Sequence, residues 1–341
     1  MCYNIDMENT NKDINIYGLS GNSLQIELFL TNYCTYNCEH CMYDSGSYQS
    51  KEYMSDEVLA KVKKQVDFLK QINMHVMINL IGGEPTIDFD KFSHIFKEVE
   101  TWNVSVSMTT NGWWLASRKN IERFFEIVSP YVNKDGRAHW EHKVNNGLTI
   151  RMSDDPFHYG KRKVKDIQNA LSDIFLDYEL VLKYNIPLPD NKDPWIWRQF
   201  LKYDETGFDS YYISPNGRGK SVSNIKQWMD KYSKDGNFCS YNFNRMENIH
   251  YQVDGSVTDA CGFGSMYDFG TADDNIVYIL ELIWQYKKDR WQNKDNQKFG
   301  CWNCQDMVQK WKAKNFDKYK EQFSGLNTMD MEKWLVSIVE R

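Results

Sequence analysis

Short apolar segments rich in β-branched residues alternate with helical patterns through the first two thirds of the chain. This alternation restricts the fold more than any other feature. Parallel strands need a crossover of a dozen or more residues, usually a helix, so repeated β-α units imply a parallel sheet. Six strands are expected, at Leu24 to Leu30, His75 to Ile81, Val104 to Met108, Leu148 to Met152, Glu179 to Tyr184 and Tyr211 to Ser214. Ser55 has the chemistry of an N-cap, with acidic Asp56 and Glu57 behind it. Val58, Val62, Val66 and Leu69 follow at helical spacing, and Val164, Ile167, Leu171 and Ile174 make a second such stripe. After about Lys220 the pattern changes to a cysteine-bearing stretch, an apolar segment from Ile276 to Trp284 and a Lys-rich tail. The expected organisation is an N-terminal extension over 1–22, an α/β domain over 23–220 and a second, smaller domain over 221–341.

Net charge excludes some partners. A formal charge of −6 and a pI near 5.7 give no basic footprint for a nucleic-acid backbone. No apolar run approaches the roughly 18 residues of a membrane span, and the N-terminal stretch lacks the basic-then-apolar order of a signal peptide. A cytoplasmic location is therefore expected, with neither nucleic acid nor membrane as partner. Eight cysteines in such a chain point to metal or redox chemistry rather than to a disulfide framework. The aromatic share of 15% serves packing, or the walls of a cleft for an organic ligand.

Three of those cysteines, Cys34, Cys38 and Cys41, fall within eight residues directly after the first expected strand. Loops at the C-terminal ends of strands are where βα barrels keep their chemistry. Three thiolates can hold three irons of a [4Fe–4S] cubane and leave the fourth iron open to another ligand. A structural zinc site with His40 completing the tetrahedron is the alternative. A ferredoxin-like carrier would supply a fourth cysteine for the same cluster, and none lies nearby in sequence.

The spacing Cys-x3-Cys-x2-Cys resembles the signature of the radical S-adenosylmethionine (SAM) superfamily. Gly82-Gly83-Glu84-Pro85, about forty residues on and at the end of the second strand, is similar to that family's Gly-Gly-Glu-Pro motif. The resemblance implies a partial (β/α)6 TIM-like barrel, with SAM chelating the open iron and its methionine amine near Gly82 to Pro85. His40 holds the place just before the third cysteine, where the family usually has an aromatic residue against adenine; an imidazole can stack there too. Asn111-Gly112 reads first as a turn, and the resemblance adds that Thr-Asn-Gly at this strand end borders the SAM pocket. Ser153 and Asp155 fall where relatives contact the SAM ribose or the substrate, although a helix-capping loop suits them equally. His158 can act as a general base. Arg218 can pair with a carboxylate of SAM or substrate, or lie in a surface turn.

Four further cysteines, Cys239, Cys261, Cys301 and Cys304, form a second set, and Cys2 is left over. Asp254-Gly255 between strand-forming residues reads as a tight hairpin leading into Cys261, and Cys301 and Cys304 form a Cys-x2-Cys pair. The set resembles the twitch and SPASM extensions of radical SAM enzymes and implies a second, fully ligated [4Fe–4S] cluster; four-cysteine zinc is the alternative. The whole is most similar to maturases of ribosomally made peptides. Peptide epimerases carry an extra thiol beside the hairpin cysteine, whereas here Gly262 follows Cys261. The expected activity is SAM cleavage and hydrogen-atom abstraction, leading to oxidation or cross-linking of a peptide, with flavodoxin or ferredoxin as electron donor. Dehydrogenation or rearrangement of a small molecule such as an aminosugar or nucleoside is the second reading, and a non-catalytic iron–sulfur or zinc protein the third.

Overall fold

The computed structural model describes residues 23–41, 43–72, 74–132, 148–154, 158, 167–186, 196–200, 248–260, 266–292 and 304–323. Its strands are β1 (Ser23–Phe29), β2 (His75–Ile81), β3 (Ser105–Thr110), β4 (Leu148–Asp154), β5 (Ile196–Phe200), β6 (Asn248–Tyr251), β7 (Ser256–Ala260) and β8 (Met266–Thr271). Its α-helices are α1 (Asp56–Gln71), α2 (Phe89–Glu100), α3 (Arg118–Val132), α4 (Ile167–Leu176), α5 (Tyr178–Tyr184), α6 (Ile276–Gln292) and α7 (Cys304–Phe323), with a 3-10 turn at Trp113–Ala116. The strands form one sheet in the order β5-β4-β3-β2-β1-β6-β7-β8. Strands β1 to β6 pair in parallel, and β7 and β8 add antiparallel. Sequential parallel strands with helices between them are the architecture of a partial βα barrel.

The local chemistry follows the sequence in most places. Ser55 caps α1, its hydroxyl accepting from the Val58 N–H at 3.3 Å. Asp88 caps α2 in the same way, accepting from Asp90 and Lys91. Gly255 sits at φ +83° in the turn between β6 and β7, a conformation glycine adopts without strain. The Ile276 to Trp284 segment lies within α6.

The fifth strand is a correction. Glu179 to Tyr184 is helix α5, not a strand, because Asp177 accepts from the Leu180 N–H at 3.1 Å as an N-cap and Asn185 ends the helix at φ +47°. A capped helix won over the short apolar run of Leu180, Val181 and Leu182. The strand beside β4 is β5, which follows Pro194. Tyr211 to Ser214 lies outside the described residues.

The two faces of the sheet differ. Leu24, Ile26 and Leu28 of β1 and Val76, Ile78 and Leu80 of β2 join one core with Val58, Leu59, Val62, Val66 and Leu69 of α1 and Phe92, Ile95, Phe96 and Val99 of α2. Side chains alternate along a strand, so Gln25, Glu27, Asn79, Ser105, Ser107 and Thr149 point to the other face. All six are buried. That face, turned away from the helices, is the barrel interior. The hairpin β6-β7 continues this sheet across position 220 and is tied to α1, since Gln65 donates to the Ala272 and Asp274 carbonyls at 3.1 and 2.8 Å and accepts from the Tyr251 hydroxyl. Among the described residues no helix is long and apolar enough to cross a membrane.

Beneath α3 the core is aromatic, with Trp114 stacked on Phe124 at 4.0 Å between ring centroids and both fully buried. Phe124→Ala is expected to cost about 3–5 kcal/mol in urea unfolding, because the ring leaves a cavity the barrel wall cannot close. A loss below about 1 kcal/mol would show that this wall is not tightly packed.

Candidate active site

The cysteine loop leaves the C-terminal end of β1 and is held by main-chain hydrogen bonds. Leu30 N–H donates to Ile81 at 2.9 Å, Gly83 N–H to Thr31 at 2.7 Å and Glu84 N–H to Tyr33 at 3.0 Å. On its far side Cys34 N–H donates to Gly46 at 3.3 Å and Met54 N–H to Leu30 at 2.8 Å. Asn37, at φ +44°, bridges to Ser47 through both ends of its amide. The loop is therefore a shaped cradle rather than an open strand end.

Gly82 and Gly83 make this approach possible. A Cβ at Gly82, whose φ is +145°, would lie 2.5 Å from the Thr31 carbonyl oxygen, and one at Gly83 would lie 2.2 Å from that of Tyr33. The main chain of the cysteine loop thus already demands these glycines, before any cofactor is considered.

Cys34, Cys38 and Tyr36 form a small buried cluster against which Cys41 and Trp113 pack. Tyr36 N–H and the Asn111 side-chain amide each donate to Cys34 Sγ at 3.4 Å. Burial pushes the Cys34 thiol up to about 11, with the Glu84 and Cys41 charges adding to the rise and the two donors opposing it. A metal ligand must be a thiolate, so iron entering here displaces a proton. The donor set fits a cubane: three thiols share one largely dry pocket, and amide donors to sulfur are among the groups that tune such clusters. Among the described residues no three His, Cys, Asp or Glu side chains close on a single-ion site; a cubane, with one iron per thiolate, does not require that.

Glu84 is fully buried, and its carboxylate is occupied by protein. One oxygen accepts from the Thr86 N–H and hydroxyl at 3.1 and 2.5 Å and from the Thr110 hydroxyl at 2.8 Å; the other accepts from the Asn111 N–H at 2.7 Å. Burial raises its pKa in spite of these donors. Its side chain clamps the end of β2 to the end of β3, a role that the motif alone does not reveal. Thr86 also accepts from the Trp113 indole at 2.8 Å, and the Asn111 side-chain oxygen from the Trp113 N–H at 2.9 Å, with Gly112 in the left-handed turn between them. Tyr36, Thr86, Thr110 and Trp113 are thus site residues that motif reading passes over, because their roles depend on contacts between strand ends.

The remaining candidates divide. His158 is buried beside the cysteine loop, with its ring 5.3 Å from that of His40 in an edge-to-face contact and 6.1 Å from that of Tyr36. Ser153 is in β4, level with Gln199 of β5. Pro85 carries the carbonyl that accepts from the Tyr53 hydroxyl at 3.2 Å. Asp155, Arg218, Cys239, Cys261 and Cys301 lie outside the described residues, and Cys304 opens α7. Asp259 of β7 is level with Ile249, and Ile249 with Ile26, three residues before β1 ends. With β7 antiparallel, the chain therefore leaves the hairpin toward the sheet end opposite the Cys34 loop.

Residues 28–135, the segment that contains the cysteine loop and the Gly82 to Pro85 turn, match the radical SAM superfamily. The chain carries a radical SAM domain. It is also 22% identical over 150 residues to the Bacillus subtilis (strain 168) protein YydG, whose name assigns it to peptide biosynthesis. That alignment covers 43% of this chain, and the chain spans only 40% of the relative's length. Similar solved structures include BtrN in complex with AdoMet and 2-DOIA, at 13% identity and TM-score 0.46, covering 80% of this chain and 91% of that one. Native anSMEcpe with bound AdoMet is 17% identical with TM-score 0.40, covering 93% and 100% of the two chains. Streptococcus suis SuiB bound to precursor peptide SuiA is 13% identical with TM-score 0.36, covering 83% and 72%.

Gly83→Ala tests the cradle. Its new methyl group meets backbone rather than a movable side chain, so iron uptake on anaerobic reconstitution should fall to the level of Cys34→Ala while far-UV circular dichroism still reports a folded barrel. Full iron content in this variant would show that the loop does not need the close approach.

Proposed function

We propose that this chain is a radical SAM enzyme that modifies a peptide, with Cys34, Cys38 and Cys41 holding a [4Fe–4S] cluster. The observation that carries the reading is the cradle itself: three thiols in one pocket, joined through the main chain to Gly82, Gly83 and Glu84. When bound, the cluster and SAM supply a 5′-deoxyadenosyl radical that takes a hydrogen atom from an unactivated carbon. The chain's own residues position and exclude water. Gly82 to Pro85, Asn111 and Ser153 rim the strand ends where SAM is read to lie, and His40 and His158 stand in contact over the cysteine loop as candidates for stacking on adenine and for proton transfer. Asp155 and Arg218 belong to this reading on sequence grounds.

The peptide substrate is supported by the likeness to YydG. A second [4Fe–4S] cluster on Cys239, Cys261, Cys301 and Cys304, within a twitch-like region over 221–341, would take an electron from the substrate radical and favour net oxidation or cross-linking. The course of β7 away from the first cysteine loop supports a separate site for Cys261. Flavodoxin or ferredoxin is the proposed electron donor.

Anaerobic reconstitution is expected to give about eight irons per chain, of which Cys34→Ala removes about half. Reduced wild-type enzyme should release 5′-deoxyadenosine from SAM, and Cys34→Ala, Cys38→Ala and Cys41→Ala should release none above background. Tightly bound zinc without visible absorbance would overturn the reading. Mass spectrometry of peptides encoded by neighbouring reading frames, after turnover, tests the substrate: a loss of two hydrogens supports oxidation or cross-linking, and unaltered peptides beside an altered aminosugar or nucleoside favour the small-molecule reading.

A further inference from the structure

A second constellation lies inside the barrel, two residues below the end of β1. Glu27 is level with Asn79 on one side and with His250 on the other, and Asn79 is level with Ser107. Glu27 Oε2 stands 2.8 Å from His250 Nε2, while its Oε1 accepts from Gln25 at 2.7 Å and from Asn79 at 3.1 Å; Ser107 in turn donates to Asn79 at 3.0 Å. Every carboxylate contact is thus made by protein. The imidazole differs. His250 is 1% exposed, and neither ring nitrogen has an aligned hydrogen-bond partner among the described residues; Nε2 lies at ion-pair distance from Glu27, whereas Nδ1 has no such neighbour. A buried polar nitrogen left in that state is costly and calls for an explanation, of which a functional role is one.

The chemistry of the pair is directional. With Nε2 at the Glu27 carboxylate, the neutral ring carries its hydrogen on Nε2 and its lone pair on Nδ1, and the carboxylate balances the charge when Nδ1 takes a proton. The ring is held in place by Phe29, stacked at 5.9 Å, and by Tyr43 at 6.3 Å. The other charged or titratable groups facing the pair are Arg151 of β4, which acts on Glu27 through its charge, and the Tyr43 hydroxyl.

We propose that His250, oriented by Glu27, is the proton-accepting residue of the barrel interior. The proposal rests on the radical SAM reading. Loss of a hydrogen atom from a substrate C–H and then of an electron from the resulting radical, to an iron–sulfur cluster, leaves one proton on the adjoining X–H as the C=X bond forms. Nδ1 of His250 accepts that proton, and Glu27 stabilises the imidazolium. The group it serves is a hydrogen-bond donor next to the reacting carbon, such as an amide N–H or a hydroxyl.

The test uses full-length reconstituted enzyme carrying ring-labelled histidine. The NMR signals that disappear in His250→Gln are expected to show the ring hydrogen on Nε2 and a bare Nδ1, and this preference is expected to be lost in Glu27→Gln, where the carboxylate no longer orients the ring. With peptides from the neighbouring reading frames, His250→Gln should keep releasing 5′-deoxyadenosine while product formation falls by about 10²–10⁴-fold. Product formation should also fall in Glu27→Gln, because the imidazolium formed on proton transfer has lost its counter-charge. A His250 ring that carries its hydrogen on Nδ1, or the same tautomer preference in both proteins, overturns the proposal, as does wild-type product formation by His250→Gln. Wild-type enzyme that releases 5′-deoxyadenosine but leaves every peptide unaltered overturns the peptide reading instead, and the ring tautomer then decides this one.

Discussion

The close approach of two main chains, Gly82-Gly83 against Thr31 to Tyr33, is the constraint on which the site depends. It places the loop with three thiols directly over the end of β2, and only residues without a Cβ allow the distance. The cysteine loop, the Glu84 clamp to β3 and the Asn111 contact with Cys34 all follow from it. A single methyl group at either glycine acts on all three at once, since close-packed backbone cannot yield as a side chain can.

Two buried glutamates in the same sheet show how surroundings decide chemistry. Glu84 is surrounded by neutral donors from Thr86, Thr110 and Asn111, and burial still raises its pKa. Glu27 meets the same burial, yet His250, Asn79 and Arg151 outweigh it and hold the carboxyl below its ordinary range. Neutral hydrogen bonds fix a strand end, whereas the His250 contact and the Arg151 charge keep Glu27 ionised in a dry interior. The first is suited to holding a loop in place and the second to balancing charge.

Parallel sheets covered on both faces usually carry near-continuous apolar runs. Here β1 alternates, with Leu24, Ile26 and Leu28 under the helices and Gln25 and Glu27 inside. Closing the barrel buries that second face without making it apolar, and the polar row is linked across strands far apart in sequence. Two hundred and more residues separate Glu27 from His250, so no local pattern announces their contact.

The sequence by itself determined the strand-helix alternation, the cysteine loop at the end of β1 and the Gly-Gly turn at the end of β2, because these features are local: side-chain period, thiol spacing and the need for glycine are written in consecutive residues. The caps at Ser55 and the turn at Gly255 were legible for the same reason. The fifth strand was not, since a short apolar run is compatible with strand or helix, and the Asp177 cap made this one a helix. Only the tertiary structure decided that Glu84 holds β3, that Asn111 reaches Cys34, that His158 lies against His40 and that the β6-β7 hairpin joins β1. Each of these is a contact between strand ends or across the sheet, made when pairing brings together residues that the chain keeps apart.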